Sequence, residues 1–334
     1  MHESGADKID ISIVVPAYHG EDTIAGCLQS IYRCTGGRRT EIIVVDSSAS
    51  TATADVVSRF PQVILIRSNK RLSAGAARNR GCEAAQGRLI LFTDQDCIVP
   101  ADWIDRFERH AQDPAIAAAG GAVGIQDPWN LSGCAVYFLE FLTHFPRQTR
   151  RLVQRKFLIG CNCCVRAEVF KVVRFPAQTL GEDILFSHEL RERGFRIVHD
   201  PEIVVLHRNR TGWKSFFAYN FKMGRAAANY HSVVRLWWAQ PALRWPWLAF
   251  FSPILVLPSI FLGLLGSPLS YVFRFFLLSP MCLIGNLVWA RGFRREVLER
   301  RLKAVDLAPS DPALHVKPAS VPRNEHAGRL HDAQ

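Results

Sequence analysis

Two familiar phosphate cradles are missing from this chain of 334 residues. No Gly-x-Gly-x-x-Gly follows a strand, since Gly120-Gly121-Ala-Val-Gly124 has the wrong spacing. No glycine-rich loop ends in Gly-Lys-[Ser/Thr]. Any bound phosphate would therefore be held by a metal ion and basic side chains. Lys70, Arg71, Arg78 and Arg80 are the candidates, and for at least two of them a solvated helix face is the plainer account. A disulfide framework is lacking too. The nine cysteines are odd in number and scattered, which suits reduced thiols. Cys161, Cys163 and Cys164 are crowded, but their spacing is wrong for a zinc knuckle. Met1 to Lys8 has neither a basic stretch nor an apolar one. The expectation is no cleavable signal peptide and a first half kept in the cytoplasm.

What is present allows a large core. Apolar residues make up 49% of the chain, enough for one large domain with an appendage. The net charge of +11 admits nucleic acid, an anionic membrane surface or an anionic substrate. Nucleic acid is disfavoured, because no RNA- or DNA-binding motif accompanies the charge.

Along the chain, short β-branched runs alternate with helical periodicity. Ile11 to Val15 reads as a buried strand stopped by Pro16. Glu21 to Arg33 has helical spacing, and Ile42 to Val45 is a second strand ended by Asp46. A helix over Ala52 to Phe60, a strand over Val63 to Ile66 and an Ala-rich helix over Ser73 to Gln86 follow. This alternation predicts an α/β layered domain, in which ligands sit beyond the carboxyl ends of the strands. Tyr18, Asp46, Asp94 and Asp96 all follow strands in that way.

Leu89 to Pro100 is the centre of the pattern. Four apolar residues suit a buried strand, and Asp94 and Asp96 follow it. In an extended chain, carboxylates two apart project to one side. Their repulsion is relieved by a hard divalent cation, so Mg²⁺ or Mn²⁺ on a nucleotide diphosphate would fit. A solvated Asx turn would use the same residues.

Several segments form an ordered set: Val14-Val15-Pro16-Ala17-Tyr18, Val44-Val45-Asp46-Ser47, Ala76-Ala77-Arg78-Asn79-Arg80-Gly81 and Phe92-Thr-Asp94-Gln-Asp96. Further on come Gly160-Cys-Asn162, Gly181-Glu182-Asp183 and Val204-Val205-Leu206-His207. Together they resemble the family 2 glycosyltransferases of GT-A fold. The ordered match runs from about residue 10 to 215. It implies a Rossmann-like mixed sheet flanked by helices and transfer from a nucleotide-sugar donor with inversion. Pro16, Ala17, Tyr18, Asp46, Arg78, Asp94 and Asp96 would bind the donor. Asp96, Asp94 and His207 would hold Mg²⁺ or Mn²⁺. Asp183 would be the general base, with Glu182 the runner-up or an acceptor contact, and Asn162 would face the acceptor. For Glu182-Asp183 an acidic helix start stabilised by the dipole is the alternative. For His207 the alternative is a hydrogen-bonded structural histidine. The Gln-x-x-Arg-Trp motif of the processive synthases is absent at Arg208 to Trp213, which favours one sugar per event.

The segment Asp127 to Phe157 carries Trp129, Tyr137, Phe138, Phe141 and Phe145, then a basic run from Arg147 to Lys156. It reads either as a seat for a lipid headgroup or acceptor, or as a helix packed on the core. The expected organisation is a tail over 1–9, a catalytic domain over 10–232, a membrane-associated region over 233–305 and a disordered polar tail over 306–334. Trp245 to Gly266 and Leu269 to Ala290 are long and apolar enough to be transmembrane helices. Basic flanks and interfacial tryptophans suggest a hairpin with both ends in the cytoplasm. Arg274 is awkward in a full crossing, so a shallow re-entrant hairpin stays open. The enzyme expected is thus anchored to the cell membrane, faces the cytoplasm and serves a glycan or lipid-linked acceptor. A polyprenyl-phosphate glycosyltransferase and an inactive scaffold of the same fold are the alternatives.

Overall fold

The computed structural model describes residues 9–142, 144–147, 156–177 and 180–306. Much of the basic run and nearly all of the expected tail lie outside them. In chain order the elements are β1 (Ile11–Ala17), α1 (Ile24–Thr35), β2 (Thr40–Asp46), α2 (Ala52–Val57), β3 (Val63–Arg67), α3 (Ala74–Ala84), β4 (Leu89–Thr93) and β5 (Cys97–Ile98). Next come α4 (Trp103–Ala111), β6 (Ile116–Ile125), α5 (Leu131–Phe141), β7 (Asn162–Arg166), α6 (Glu182–Glu192) and β8 (Arg196–His207). The last are α7 (Trp213–Val234), α8 (Gln240–Arg244), α9 (Ser252–Leu264) and α10 (Leu269–Asp306).

Eight strands form one mixed sheet in the order β3-β2-β1-β4-β7-β6-β8-β5. The first four strands in that order are mutually parallel, and β1, β2 and β4 carry the buried apolar runs of strands covered on both faces. Strand β7 runs antiparallel to both β4 and β6, while β6 and β8 are parallel. Two reversals restore the original direction. The carboxyl ends of β1, β2, β4 and β8 therefore share one edge, which is how Ala17, Asp46, Thr93 and His207 come to the same side.

Two boundaries differ from expectation for physical reasons. Strand β1 continues through Pro16 to Ala17, pairing Pro16 with Val45. Its ladder with β4 stops at Val14–Phe92, so the missing proline N–H falls where β1 has already parted from that neighbour. Helix α1 begins at Ile24 rather than Glu21, because Gly20 to Thr23 form a turn in which the Thr23 amide donates to the Gly20 carbonyl.

The aromatic segment after Asp127 resolves in favour of the packed helix. Tyr137, Phe138, Phe141 and Phe145 are buried in the main core. The motif Gly120-Gly121 also acquires a reason. A Cβ on Gly121 would lie 2.3 Å from the Asn162 amide nitrogen, so the glycine makes room for a buried side chain.

Residues up to Leu298 form one compact unit, and the hydrophobic hairpin belongs to it. The first apolar stretch is not one regular helix. It starts as a 3₁₀ turn over Pro246–Phe251 and continues as α9 with Pro258 inside it. The second is a single helix that continues well beyond Ala290.

Candidate active site

The α3 motif Ala76 to Gly81 is organised around one cation. A Cβ on Gly81 would sit 2.3 Å from Val14, so its absence lets α3 lie directly on β1. Asn79 clamps the chain ahead of α6: its amide nitrogen donates to the Phe175 carbonyl and its oxygen accepts from the Phe175 amide. Arg78, 2% exposed, points inward. Its guanidinium donates to Asp94 Oδ1 at 2.7 Å and to Glu182 Oε1 at 2.7 Å. Asp94 follows β4 and Glu182 opens α6. One buried arginine thus ties the first carboxylate of the Asp-x-Asp pair to the Glu-Asp motif, with the bidentate geometry that lysine lacks. Arg80 on the same helix turns outward to Glu83.

Gly160 completes that arrangement. A Cβ there would lie 2.6 Å from Arg78 Cζ. Gly160→Ala is expected to displace the guanidinium and weaken both ion pairs. The measurable result would be a destabilisation of about 1–3 kcal/mol in urea, with reduced activity.

Asp183 stands beside this network. Its carboxylate accepts from the Gly160 amide at 3.2 Å and from the Ile184 amide at 2.8 Å. Burial and the neighbouring Glu182 carboxylate raise it to about 7, against the pull of Arg78 and the two amides. A carboxylate there accepts a proton near neutral pH, as a general base must. Glu182, in contrast, is engaged by Arg78 and is mostly buried. This geometry favours Asp183 over Glu182 as the proton acceptor.

Asp96 lies directly beside the end of β8: its carbonyl accepts from the Arg208 amide, and Cys97 pairs with His207. His207 Nε2 is 3.5 Å from Asp96 Oδ1, and its ring packs edge-on against Phe141. Burial pulls the imidazole down, but Asp96 and further negative neighbours outweigh that and lift it to about 9. Asp96 itself is raised, chiefly by burial and also by Asp94, while His207 opposes the rise. His207 Nδ1 is buried without a hydrogen-bond partner. Ligand atoms of Asp96, Cys97 and His207 lie within 4.8 Å of one another. Once the ion displaces the imidazolium proton, a carboxylate oxygen and an imidazole nitrogen this close fit a divalent ion, and imidazole suits Mn²⁺ better than Mg²⁺. Asp94 is turned to Arg78 and would have to share its second oxygen to join them.

The other residues expected to bind a donor lie two strands away. With strands about 4.8 Å apart, Asp46 on β2 is about 10 Å from the end of β4. Asp46 is fully buried, accepts from the Ser48 amide at 2.9 Å, and has Arg67 Nε 3.5 Å from its other oxygen. The loops above are stitched together. Gln95 accepts from the Tyr18 amide and donates to the Tyr18 carbonyl, and the His19 amide donates to Ser48. The Arg71 guanidinium lies 4.4 Å from the centre of the Tyr18 ring, so of the four basic candidates Arg71 and Arg78 reach the site.

Asn162 needs correction. It is wholly buried, accepts from Trp103 Nε1, and donates to the carbonyls of Ala122 and Ile203. Its hydrogen bonds join β7, β6, β8 and α4 from inside. No edge of the amide is left for an acceptor sugar, so its role is structural.

A group behind His207 escapes a reading of the sequence. Glu140 accepts from the Tyr219 hydroxyl and, at 3.4 Å, from the Asn209 amide. Arg210 lies 4.3 Å from the centre of the Tyr219 ring. Burial raises the Glu140 carboxyl, against the influence of His207, Tyr219 and Arg210. Glu140 is the one charged residue of α5, which is the signal that could have exposed it.

Comparison with known proteins agrees with this layout. Residues 12–174 match the family model described as glycosyl transferase family 2. Residues 12–174 form a family 2 glycosyltransferase domain. Glycosyltransferase AglE of Haloferax volcanii is 24% identical over 208 residues, covering 60% of this chain and 67% of AglE. UDP-Glc:alpha-D-GlcNAc-diphosphoundecaprenol beta-1,3-glucosyltransferase WfaP of Escherichia coli is 34% identical over 88 residues. That match covers 26% of this chain and 35% of WfaP, so it spans about a third of that relative. Among solved structures, mannosyltransferase PcManGT from Pyrobaculum calidifontis, in complex with GDP-Man and Mn²⁺, superposes with a TM-score of 0.55 at 17% identity. The superposition covers 89% of this glycosyltransferase and 87% of PcManGT, and it confirms the GT-A fold.

Proposed function

We propose that this glycosyltransferase is metal-dependent and inverting, moving one sugar from a nucleotide-diphosphate donor to a hydroxyl on a glycan or lipid-linked acceptor. The cytoplasmic face of the cell membrane is its place of action. The observation that carries the proposal is the junction of Asp94, Arg78, Glu182 and Asp183. It sets a carboxylate of raised affinity for protons beside the pair expected to hold the donor.

In this mechanism Asp183 takes the proton of the acceptor hydroxyl. The hydroxyl oxygen bonds to the anomeric carbon from the face opposite the nucleotide. The bond from that carbon to the diphosphate oxygen breaks, and nucleoside diphosphate leaves with the electron pair. Arg78 fixes Asp94 in place without moving a proton. Asp96 and His207 would hold Mn²⁺ or Mg²⁺, which neutralises charge developing on the departing diphosphate when bound. The Mn²⁺ and GDP-Man in PcManGT, and the lipid-linked acceptor in the name of WfaP, are consistent with this reading.

Release of nucleoside diphosphate from a panel of sugar nucleotides tests the proposal. One donor should be turned over with Mn²⁺ or Mg²⁺, and removal of the ion by EDTA should abolish the reaction. Asp96→Ala should lower turnover by roughly 10²-fold or more, the scale of losing one strong electrostatic contact to the developing charge. Metal-independent turnover would overturn the metal's role, and no turnover with any donor would favour the inactive scaffold. A product carrying a new phosphoester bond would favour the polyprenyl-phosphate alternative.

A further inference from the structure

By length and composition, Pro246–Leu264 and Leu269–Lys303 could each cross a bilayer. The packing around them argues otherwise. At the tip of the hairpin, the Arg147 guanidinium donates to the Gly263 carbonyl at 2.8 Å and 3.1 Å. A Cβ on Gly263 would lie 2.8 Å from the Leu142 carbonyl. Just past the turn, the Ile125 amide at the end of β6 donates to the Tyr271 hydroxyl at 3.2 Å. The turn that would emerge on the far side of a membrane is therefore fastened to the catalytic sheet.

The same docking continues along α10. Phe275 meets Phe138 with ring centres 5.4 Å apart, and Gly285 fits against Phe216 and Leu139. A Cβ on Gly224 of α7 would come within 1.9 Å of the Trp289 carbonyl, and one on Gly292 within 2.1 Å of the Phe221 carbonyl. Glu296 pairs with Arg225 at 2.7 Å. From Tyr271 to Glu296 these contacts recur every three to ten residues on one face. At 1.5 Å per residue that face is about 38 Å long, more than a hydrocarbon core is thick. A crossing α10 would drag α5 into the hydrocarbon beside it. Phe141 of α5 touches His207, so the metal-binding wall would go too, at prohibitive cost.

The opposite face has a different character. Ile254, Leu262, Leu265, Leu269, Phe273 and Leu277 are 53–80% exposed. Around them stand exposed Trp237, Trp245 and Trp247, together with exposed Arg235, Arg244, Arg291 and Arg294. A protein interface needs about one hydrogen bond per 100–200 Å², and this apolar face offers few donors. An aromatic and cationic rim around an apolar face matches the headgroup level of an anionic leaflet.

We propose that the α9–α10 hairpin lies within one leaflet of an anionic bilayer, outer face in the acyl region, and does not cross it. It rests on the proposed function only in taking the membrane as the place of action. Because Tyr271 joins the sheet edge that carries His207, the cleft opens at headgroup height, where a lipid-linked acceptor presents its glycan.

Full-length Ser267→Cys protein, expressed in bacterial cells, tests this. A membrane-impermeant maleimide applied to intact cells should give only the labelling seen with the wild-type cysteines. Labelling of the variant from outside would overturn the proposal. The purified full-length protein should also bind phosphatidylglycerol vesicles about tenfold or more tightly than phosphatidylcholine vesicles. Phe273→Glu should remove that binding while folding is retained by circular dichroism. Absence of vesicle binding together with a dimer disrupted by Phe273→Glu would instead assign the face to a second copy. None of these readouts depends on sugar transfer, so they fail independently of the enzyme assignment.

Discussion

Asp183→Asn is expected to lower kcat/KM for sugar transfer by roughly 10²–10⁴-fold, the range of a lost general base. Donor binding should persist, because Asp183 contacts neither Asp94 nor Asp96 directly in the hydrogen-bond network. The pH profile provides the sharper check. A base acts only when deprotonated, and the folded enzyme raises Asp183 to about 7. The wild-type rate should therefore climb as pH passes about 7, whereas an ordinary carboxylate would give a limb near 4. The variant should lose that limb. Stability supplies the control. A folded carboxyl raised above its unfolded value stabilises the protein fully below the unfolded value, and that contribution is lost as pH rises through about 7. Asparagine carries no charge to penalise at pH 8, although one of the Gly160 and Ile184 amides loses its acceptor. The two effects oppose, so the urea midpoint at pH 8 should stay close to wild type. Transfer that survived the substitution would rule out Asp183 as the base.

Arg78→Met should have the largest effect on stability. It leaves Asp94 and Glu182 facing each other without the cation that both are bonded to. Removing one partner from a buried charge network typically costs about 3–5 kcal/mol. Urea denaturation at pH 8 should show that loss. Arg78→Met with Glu182→Gln should recover part of it, because one of the stranded charges is gone. A loss below about 1 kcal/mol for Arg78→Met would mean that the network is not a structural junction. Activity should fall as well, since Asp94 would lose its fixed position.

Much of the site is legible in the order of the residues. Uninterrupted apolar runs end at or beside Asp46, Asp94 and His207, and parallel strands place such ends together. The Glu-Asp pair at the start of α6 is visible as a local motif. The residues that local pattern misjudges are those whose partners are remote. Asn162 stands in a motif like that of an acceptor site, but Trp103, Ala122 and Ile203 enclose it. Glu140 lies in a segment that looks irregular because Trp129 and the basic run flank a short apolar helix. The hairpin passes every test for crossing a membrane, since length and hydropathy are properties of one segment. Only its contacts with α5, α7 and β6 show which of its faces is left exposed.

By itself the sequence determined the order of strands and helices, the acidic residues at strand ends and the apolar character of the hairpin. Each of these follows from local pattern, because a strand covered on both faces is a short continuous apolar run, whereas a helix buries residues with a period of about 3.6. Tertiary structure decided which charges meet. Arg78 and Glu182 are 104 residues apart, and no local spacing encodes their ion pair. It forms because Gly81 lets α3 settle on β1, Gly160 leaves room for the guanidinium, and the antiparallel β7 returns the chain to the same edge of the sheet.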